Sequence, residues 1–118
     1  MQGNRAERLA ESIRQEAIEL VEYELTDDRI GSVSVTEVEV SPDLKNAKIF
    51  VNISGDKQQI ERSLAALRHA TGFVRYQLGL RLQLKRVPEI LFFYDNTTDK
   101  AARIEQLLRE EKETGHET

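Results

Sequence analysis

Basic side chains are concentrated in one stretch, from Arg62 to Pro88, which contains no acidic residue. Residues 1–44 carry 4 Lys/Arg against 11 Asp/Glu, residues 45–103 carry 11 against 5, and residues 104–118 carry 2 against 5. The net charge of −4 therefore hides a positive middle segment, and this asymmetry indicates a polyanionic partner. The alternative is a solvated cationic face that offsets the acidic first helix. The basic residues are Arg62, Arg68, Arg75, Arg81, Lys85 and Arg86, with His69 among them.

Catalytic and metal chemistry find little support in the residue types. The chain has no cysteine, which excludes disulfides, thiolate metal sites and a cysteine nucleophile. We find no Ser/His/Asp arrangement, no phosphate-binding loop and no metal-ligand spacing. Asp95 and Asp99 fit a turn and a helix cap better than a pair of catalytic carboxylates. The sequence predicts a protein that is not an enzyme and holds no cofactor and no metal.

The chain of 118 residues is long enough for one domain with its own core. No apolar run approaches the roughly 20 residues that a membrane span needs. The first residues lead into an acidic amphipathic segment rather than the apolar centre of a signal peptide. These features favour a cytoplasmic protein.

The first half of the chain predicts one helix and a β-hairpin. Apolar residues spaced by three and four predict a helix from Asn4 to about Leu25. Residues 32–40 and 47–53 alternate as strands do, and 41–46 supply turn residues between them. The alternation shifts at Thr36-Glu37, which predicts either a β-bulge or a change of face.

The second half predicts two helices, a strand and a C-terminal helix. Asp56 is placed to cap a helix over 57–69, and Ala70-Thr71-Gly72 interrupts it. Phe73, Val74, Leu78 and Leu82 then define a helical face that continues to about Leu84, although Leu80, Leu82 and Leu84 also alternate as in a strand. Residues 89–94 form the third strand. A short helix carries Ala101, Ile104, Leu107 and Leu108, and 110–118 form an acidic, disordered tail.

This order predicts an α+β domain in which helices pack on one face of a three-stranded sheet. Two helices that meet at a small-residue joint beside a basic flank also match the outline of the KH RNA-binding module. In that module, a glycine-containing loop between helices clamps the nucleotide backbone.

Five segments together resemble the ribosome-binding factor A family, which comprises small bacterial assembly factors of the small ribosomal subunit. The resemblance extends from about Asn4 to Leu108. It implies a single type II KH-like domain over 1–109, in which the Ala-x-Gly kink of Ala70, Thr71 and Gly72 replaces a Gly-x-x-Gly loop. The segments are Leu25–Gly31, Val38–Leu44, Ala47–Val51, Ala70–Arg75 and Arg86–Asp95.

The resemblance implies a monomeric cytoplasmic factor that binds the free small subunit and its 16S rRNA precursor. It further implies support of late maturation and 5′-end processing, importance in the cold, and release assisted by a GTPase. One departure is visible: the family usually has proline where this chain has Asp28, which leaves that turn less rigid. Because the full Gly-x-x-Gly loop is missing, we favour contact with the phosphates and shape of structured rRNA.

The predicted RNA contacts are cations, with surface solubility as the alternative role. Phe50 interrupts the polar side of its strand, and we assign it to the core under a helix rather than to base stacking. The joint residues either shape the bend or contact phosphate. A protein-interaction module that docks an acidic partner is the competing hypothesis, and a DNA-binding regulator is disfavoured. The predicted contacts are Arg75, Arg81, Lys85 and Arg86, then Arg68 and Lys48, then Lys45 and Arg29.

Overall fold

The computed structural model describes residues 4–95, which form three helices and one three-stranded sheet. The predicted C-terminal helix and the acidic tail lie outside the described residues. This architecture confirms the predicted α+β class. The elements are α1 (Arg5–Ile18), which continues as a π-helical turn (Glu19–Glu24), β1 (Val33–Val40), β2 (Asn46–Ile53), α2 (Lys57–His69), α3 (Thr71–Arg81) and β3 (Glu89–Tyr94).

The first helix begins as predicted at Asn4, whose side-chain oxygen accepts hydrogen bonds from the N–H groups of residues 6 and 7. Its last turn widens, and the Leu25 N–H donates to the Leu20 carbonyl at 2.8 Å, which is an i to i+5 bond. In this wide turn, the Glu22 carboxylate accepts a hydrogen bond from the Val35 N–H of β1 at 2.8 Å. The end of the helix is thereby fixed to the edge of the sheet.

The sheet has the order β1-β2-β3, with β1 antiparallel and β3 parallel to the central β2. The register shifts between Val35 and Glu37, so the predicted β-bulge is present. The inward-facing residues of β2 are completely buried or nearly so. Side chains from all three helices cover this face and form one core with it, as predicted. The helix residues at its centre are Ile13, Ala17, Leu20, Leu67, Val74 and Leu78.

The third helix ends at Arg81, three residues earlier than predicted. Gln83 adopts a positive φ of 52°, and the Leu84 N–H donates to the Gly79 carbonyl at 3.0 Å. This left-handed turn with a bond across it is a Schellman motif, which stops a helix without proline. The chain then folds back over Gly79, where a Cβ atom would lie only 2.8 Å from Val87. The alternating leucines therefore belong to a helix end and not to a strand.

Arg75 fastens α3 to the beginning of β3. Its Nε donates to the Pro88 carbonyl at 3.0 Å and its Nη2 to the Val87 carbonyl at 2.8 Å. The Glu89 carboxylate lies 3.7 Å from the same Nη2. Because these acceptors are main-chain groups just before the strand, the contacts fix where the third strand starts.

Arg81 fastens the other end of α3 to the acidic first helix. Both of its terminal nitrogens donate to the Glu24 carboxylate, one of them at 2.9 Å, and Glu16 lies 3.6 Å away. The side chain of Arg81 is only 26% exposed. Its hydrogen bonds lower the pKa of the Glu24 carboxyl below the ordinary value of 4.5.

Ser63 of α2 holds the turn that precedes β1. Its buried hydroxyl accepts from the Gly31 N–H at 3.0 Å and donates to the Arg29 carbonyl at 3.2 Å. The same turn closes through a hydrogen bond from Ile30 N–H to the Asp27 carbonyl at 2.9 Å. The Asp27 side chain also accepts from the Arg29 N–H, so a local side-chain contact supports the turn that contains Asp28.

We predict that Ser63→Ala lowers the free energy of unfolding by about 1–3 kcal/mol, because two main-chain groups of the turn lose their partner. Ser54→Ala is the matched control, since Ser54 is exposed and its hydroxyl makes no hydrogen bond with the described residues. Chemical denaturation of both variants measures the difference. Equal stability of the two variants would contradict this role of the hydroxyl.

We predict that Arg81→Met lowers the midpoint of thermal unfolding at neutral pH, whereas Lys85→Met does not. Both changes keep the apolar stem and remove the charge, but of the two residues only Arg81 has an ion pair with residues 4–95. The pKa of Glu24 is lower in the folded state than in the unfolded chain. The ion pair therefore stabilises the fold fully at a pH above the unfolded-state pKa of Glu24, and this stabilisation is lost as the pH falls through the folded-state pKa. Thermal melts between neutral and acidic pH should therefore converge for wild type and Arg81→Met. A constant gap would contradict the assignment to this pair.

Candidate nucleic-acid interface

The eight predicted contact residues fall into two groups, according to whether they have partners within the protein. Arg75 and Arg81 are engaged as described above. Arg68 is exposed, and its Nη2 donates to the Phe92 carbonyl of β3 at 3.3 Å. Arg29 donates to Asp27 through Nε at 3.1 Å and Nη2 at 2.7 Å, which helps to lower the pKa of Asp27 to about 2. Four of the predicted guanidinium groups thus also bind the protein itself.

Lys45, Lys85 and Arg86 are the cations that the fold gathers at one place, which we call the basic end. Lys85 and Arg86 follow α3, and Lys45 precedes β2; all three are exposed. The Lys45 carbonyl accepts from the Glu89 N–H at 2.8 Å, so the beginnings of the parallel strands β2 and β3 are adjacent. None of these side chains makes a hydrogen bond or ion pair with residues 4–95. They are free to contact phosphate oxygens.

The face of the sheet turned away from α1, α2 and α3 carries the remaining predicted cation, Lys48. Its Nζ lies 5.7 Å from the centroid of the Phe93 ring, and that ring stacks on Phe50 with the centroids 5.6 Å apart. Phe50 is buried, as predicted, and period-2 alternation places it on the face opposite Ile49 and Val51, which is turned away from α1, α2 and α3. A helix that covers this face would lie outside the described residues, so the prediction of a covering helix stays a prediction. Lys48 therefore sits on an aromatic surface and is separate from the basic end.

Arg29 and Arg62 lie at the opposite end of the sheet. Together with Ser32 and Ser54 they line a shallow polar hollow where β1 begins and β2 ends. A strand of eight residues spans about 25 Å, so this hollow is far from the basic end. The acid-free stretch of sequence therefore does not form one continuous surface.

The small-residue joint between α2 and α3 is where the sequence predicts it. Ala70 lies between the helices with φ −87° and ψ 3°, and its N–H donates to the carbonyls of Ala66 and Leu67 at 3.0 Å each. Its carbonyl accepts from the Val74 N–H at 3.0 Å, so Ala70 is hydrogen-bonded to both helices. Gly72 has no positive φ, and apart from its chain neighbours and the backbone of its own helix no atom lies within 4 Å of the point where its Cβ would be. The bend does not need glycine at this position.

Sequence reasoning missed three large apolar side chains on the outer face of α3. Phe73 is 48% exposed, Tyr76 63% and Leu80 57%. Phe73 was predicted on the buried face, but the buried residues are Val74 and Leu78, and Phe73 precedes Val74 by about 100° of helix rotation. The spacing of three and four among the outer residues is the signal that finds them.

Metal and membrane sites find no support among residues 4–95. That range contains no cluster of three or more His, Cys, Asp or Glu side chains that could hold a metal ion. The helices described there are too short or too polar to cross a membrane.

Comparison with known proteins connects this geometry to a family. The family model for ribosome-binding factor A matches residues 5–108. Ribosome-binding factor A of Desulfitobacterium hafniense is 49% identical over 120 residues, which cover 98% of this chain and 96% of that protein. Ribosome-binding factor A of Halothermothrix orenii is 42% identical over 113 residues, which cover 96% of this chain and 93% of that protein.

Solved structures share the fold. The crystal structure of ribosome-binding factor A from Thermus thermophilus superposes with a TM-score of 0.67 at 22% identity, covering 75% of this chain and 93% of that one. A homology model of the Thermus thermophilus factor, fitted into the cryo-electron-microscopy map of its complex with the 30S subunit, gives a TM-score of 0.57 at 22% identity, covering 79% of this chain and 93% of that one. With the family model and relatives that match nearly end to end, these results show that the chain belongs to the ribosome-binding factor A family.

Proposed function

We propose that this protein binds the free small ribosomal subunit through its rRNA, with the basic end as the main contact. The observation that carries this proposal is that Lys45, Lys85 and Arg86 are exposed, lie near the beginnings of β2 and β3 and make no side-chain hydrogen bond or ion pair with residues 4–95. Cations without such contacts bind phosphate more readily than engaged ones, since no existing contact must first break. The 30S complex of the Thermus thermophilus relative supports the choice of subunit.

The remaining predicted contacts take secondary roles in this proposal. Lys48 reaches RNA from the face of the sheet turned away from α1, α2 and α3, and the exposed Arg68 can turn from the Phe92 carbonyl toward a phosphate. Arg75, Arg81 and Arg29 act mainly by holding α3 and the turn before β1 in place. This division assigns binding to four or five cations rather than to the whole basic stretch.

Membership of the family supports a proposal for the cellular role. We propose that binding supports late maturation of the small subunit and processing at the 5′ end of the 16S rRNA precursor, with greatest importance in the cold. The protein acts in the cytoplasm as a monomeric, non-catalytic factor with a type II KH-like fold, and an assembly GTPase assists its release.

We predict that Lys85→Glu combined with Arg86→Glu weakens binding to isolated small subunits while leaving thermal stability unchanged. Arg8→Glu is the control, because Arg8 is an exposed cation on α1 that has no ion pair with residues 4–95, and this variant should bind as wild type does. If four cations each neutralise one phosphate, the log–log slope of affinity against salt is roughly −3, and the double variant should reduce it to roughly −1.5. Co-sedimentation with small subunits, large subunits and whole ribosomes over a salt series measures both.

Binding that is insensitive to salt, or equal losses in Arg8→Glu and the double variant, would contradict the basic end as the contact. Binding to small subunits that survives nuclease treatment of the rRNA would favour the competing hypothesis of docking to an acidic protein. Failure of the wild type to sediment with small subunits at low salt would overturn the proposed function.

A further inference from the structure

The outer face of α3 presents a stripe of large apolar side chains to solvent. Phe73, Tyr76 and Leu80 occupy positions i, i+3 and i+7, so they lie within about 60° of one another around the helix axis. Their exposed fractions of 48%, 63% and 57% show that none belongs to the core. Single exposed apolar residues are common on protein surfaces, but a contiguous stripe with two aromatic rings marks a binding surface.

Gly72 leaves bare backbone beside these rings. It lies next to Phe73 and four residues, just over one turn, before Tyr76, on the same side of the helix. Apart from its chain neighbours and the backbone of its own helix, no atom lies within 4 Å of its missing Cβ, and its φ is one that any residue adopts. Neither the bend nor the packing requires glycine here, and glycine in a helix is destabilising by roughly 0.5–1 kcal/mol relative to alanine. The open space at Gly72 is therefore not explained by the fold.

The charges around the stripe favour a nucleic acid over a protein as the occupant. The sequence from Arg62 to Pro88, which contains α3 and most of α2, has no carboxylate. Lys85 and Arg86 follow the end of α3, and Arg68 and His69 are exposed just before its beginning. Aromatic rings flanked by cations are the combination that binds single-stranded nucleic acid, because the rings stack on bases while the cations contact the backbone.

We propose that Phe73 and Tyr76 stack on one or two unpaired bases of the RNA and that the gap at Gly72 admits the base. This inference rests on the proposed function and deepens it, because it adds unpaired nucleotides to the phosphate contacts of the basic end. Stacking tolerates any base, so the site selects unpaired RNA rather than a particular sequence. Leu80 extends the same surface by one turn.

The test uses the full chain with two probes besides isolated small subunits. One is a single-stranded RNA oligonucleotide that contains 2-aminopurine, a base whose fluorescence is quenched by stacking, and the other is a blunt duplex of the same sequence. Phe73→Leu with Tyr76→Leu keeps the surface apolar but removes both rings. Tyr76→Phe keeps the ring and serves as the control.

We expect the double leucine variant to bind the single-stranded RNA roughly 5- to 100-fold more weakly than wild type does, the range for loss of one stacked base. Its salt slope should stay that of the wild type, since no cation is lost, and the fluorescence quenching should disappear. Tyr76→Phe should behave as wild type, and duplex binding should change little. Thermal unfolding of all variants should match, because the replaced side chains are exposed.

Gly72→Ala provides a second, independent variant. A methyl group fits without contact in the folded protein, so we expect unchanged or slightly higher thermal stability. Because the methyl group narrows the gap beside Tyr76, binding to the single-stranded probe should weaken severalfold. Loss of stability in this variant would show that the glycine serves the fold, and unchanged binding would show that no base enters at the gap.

Three results would overturn the stacking proposal while leaving the proposed function intact. Unchanged affinity of the double leucine variant for RNA and subunits would show that the rings do not take part. Equal weakening for duplex and single strand would indicate contact with shape rather than with bases. The double leucine variant could bind subunits normally while charged substitutions in the stripe abolish subunit binding. That pair of results would indicate an apolar protein partner. If the wild-type protein does not bind small subunits at all, the proposed function is overturned instead. Quenching of the 2-aminopurine oligonucleotide by wild type, and its loss in the double leucine variant, would in that case still test the stacking proposal.

Discussion

The parallel pairing of β2 with β3 is the constraint on which the rest of this structure depends. Two parallel strands cannot be joined by a tight hairpin, so the chain must cross the sheet before it returns. That crossing consists of α2, the bend at Ala70 and α3, and it contains nearly all of the acid-free stretch. Both helices bury Leu67, Val74 and Leu78 against the sheet, which turns their polar positions outward. The connection returns to the end of the sheet at which β2 and β3 begin, and Lys85 and Arg86 therefore lie at the same end as Lys45. A topological requirement thus determines where the positive charge collects.

The cations illustrate why similar residues in one stretch of sequence acquire different roles. A guanidinium group carries several donors in a planar fork, so it satisfies carbonyl or carboxylate acceptors wherever the fold brings them near. Arg75 finds two carbonyls before β3, and Arg81 finds a carboxylate on the first helix. These contacts position the surface that carries the free cations. The density of positive charge in the sequence indicates which region binds a partner. The carbonyl and carboxylate groups within the protein determine which of these cations remain available for binding.

Local patterns predicted most of the fold, because they depend on neighbouring residues. The start of α1, the bulge after Val35, the cap of α2 and the three strands all followed from spacing and turn chemistry. The contacts of the candidate site did not, since they join distant positions: Arg81 and Glu24 are 57 residues apart, and no periodicity connects them. The end of α3 depends on a left-handed Gln83, a conformation that glycine usually signals. The exposure of Phe73 was missed because an aromatic residue next to Val74 resembles part of a core face. Composition therefore identified the region of the site, and tertiary structure was needed to identify its members.

The two edges of the sheet are each occupied by a side chain from a helix. On β1, the Val35 N–H is taken by Glu22, and on β3, the Phe92 carbonyl is taken by Arg68. An exposed strand edge invites another strand to pair with it, whether from a second copy or from an unfolded chain. Here an incoming strand must first displace a charged side chain and leave that charge without its partner. The wide last turn of the first helix, which places Glu22 at the edge, thus also protects a small sheet from aggregation through strand addition.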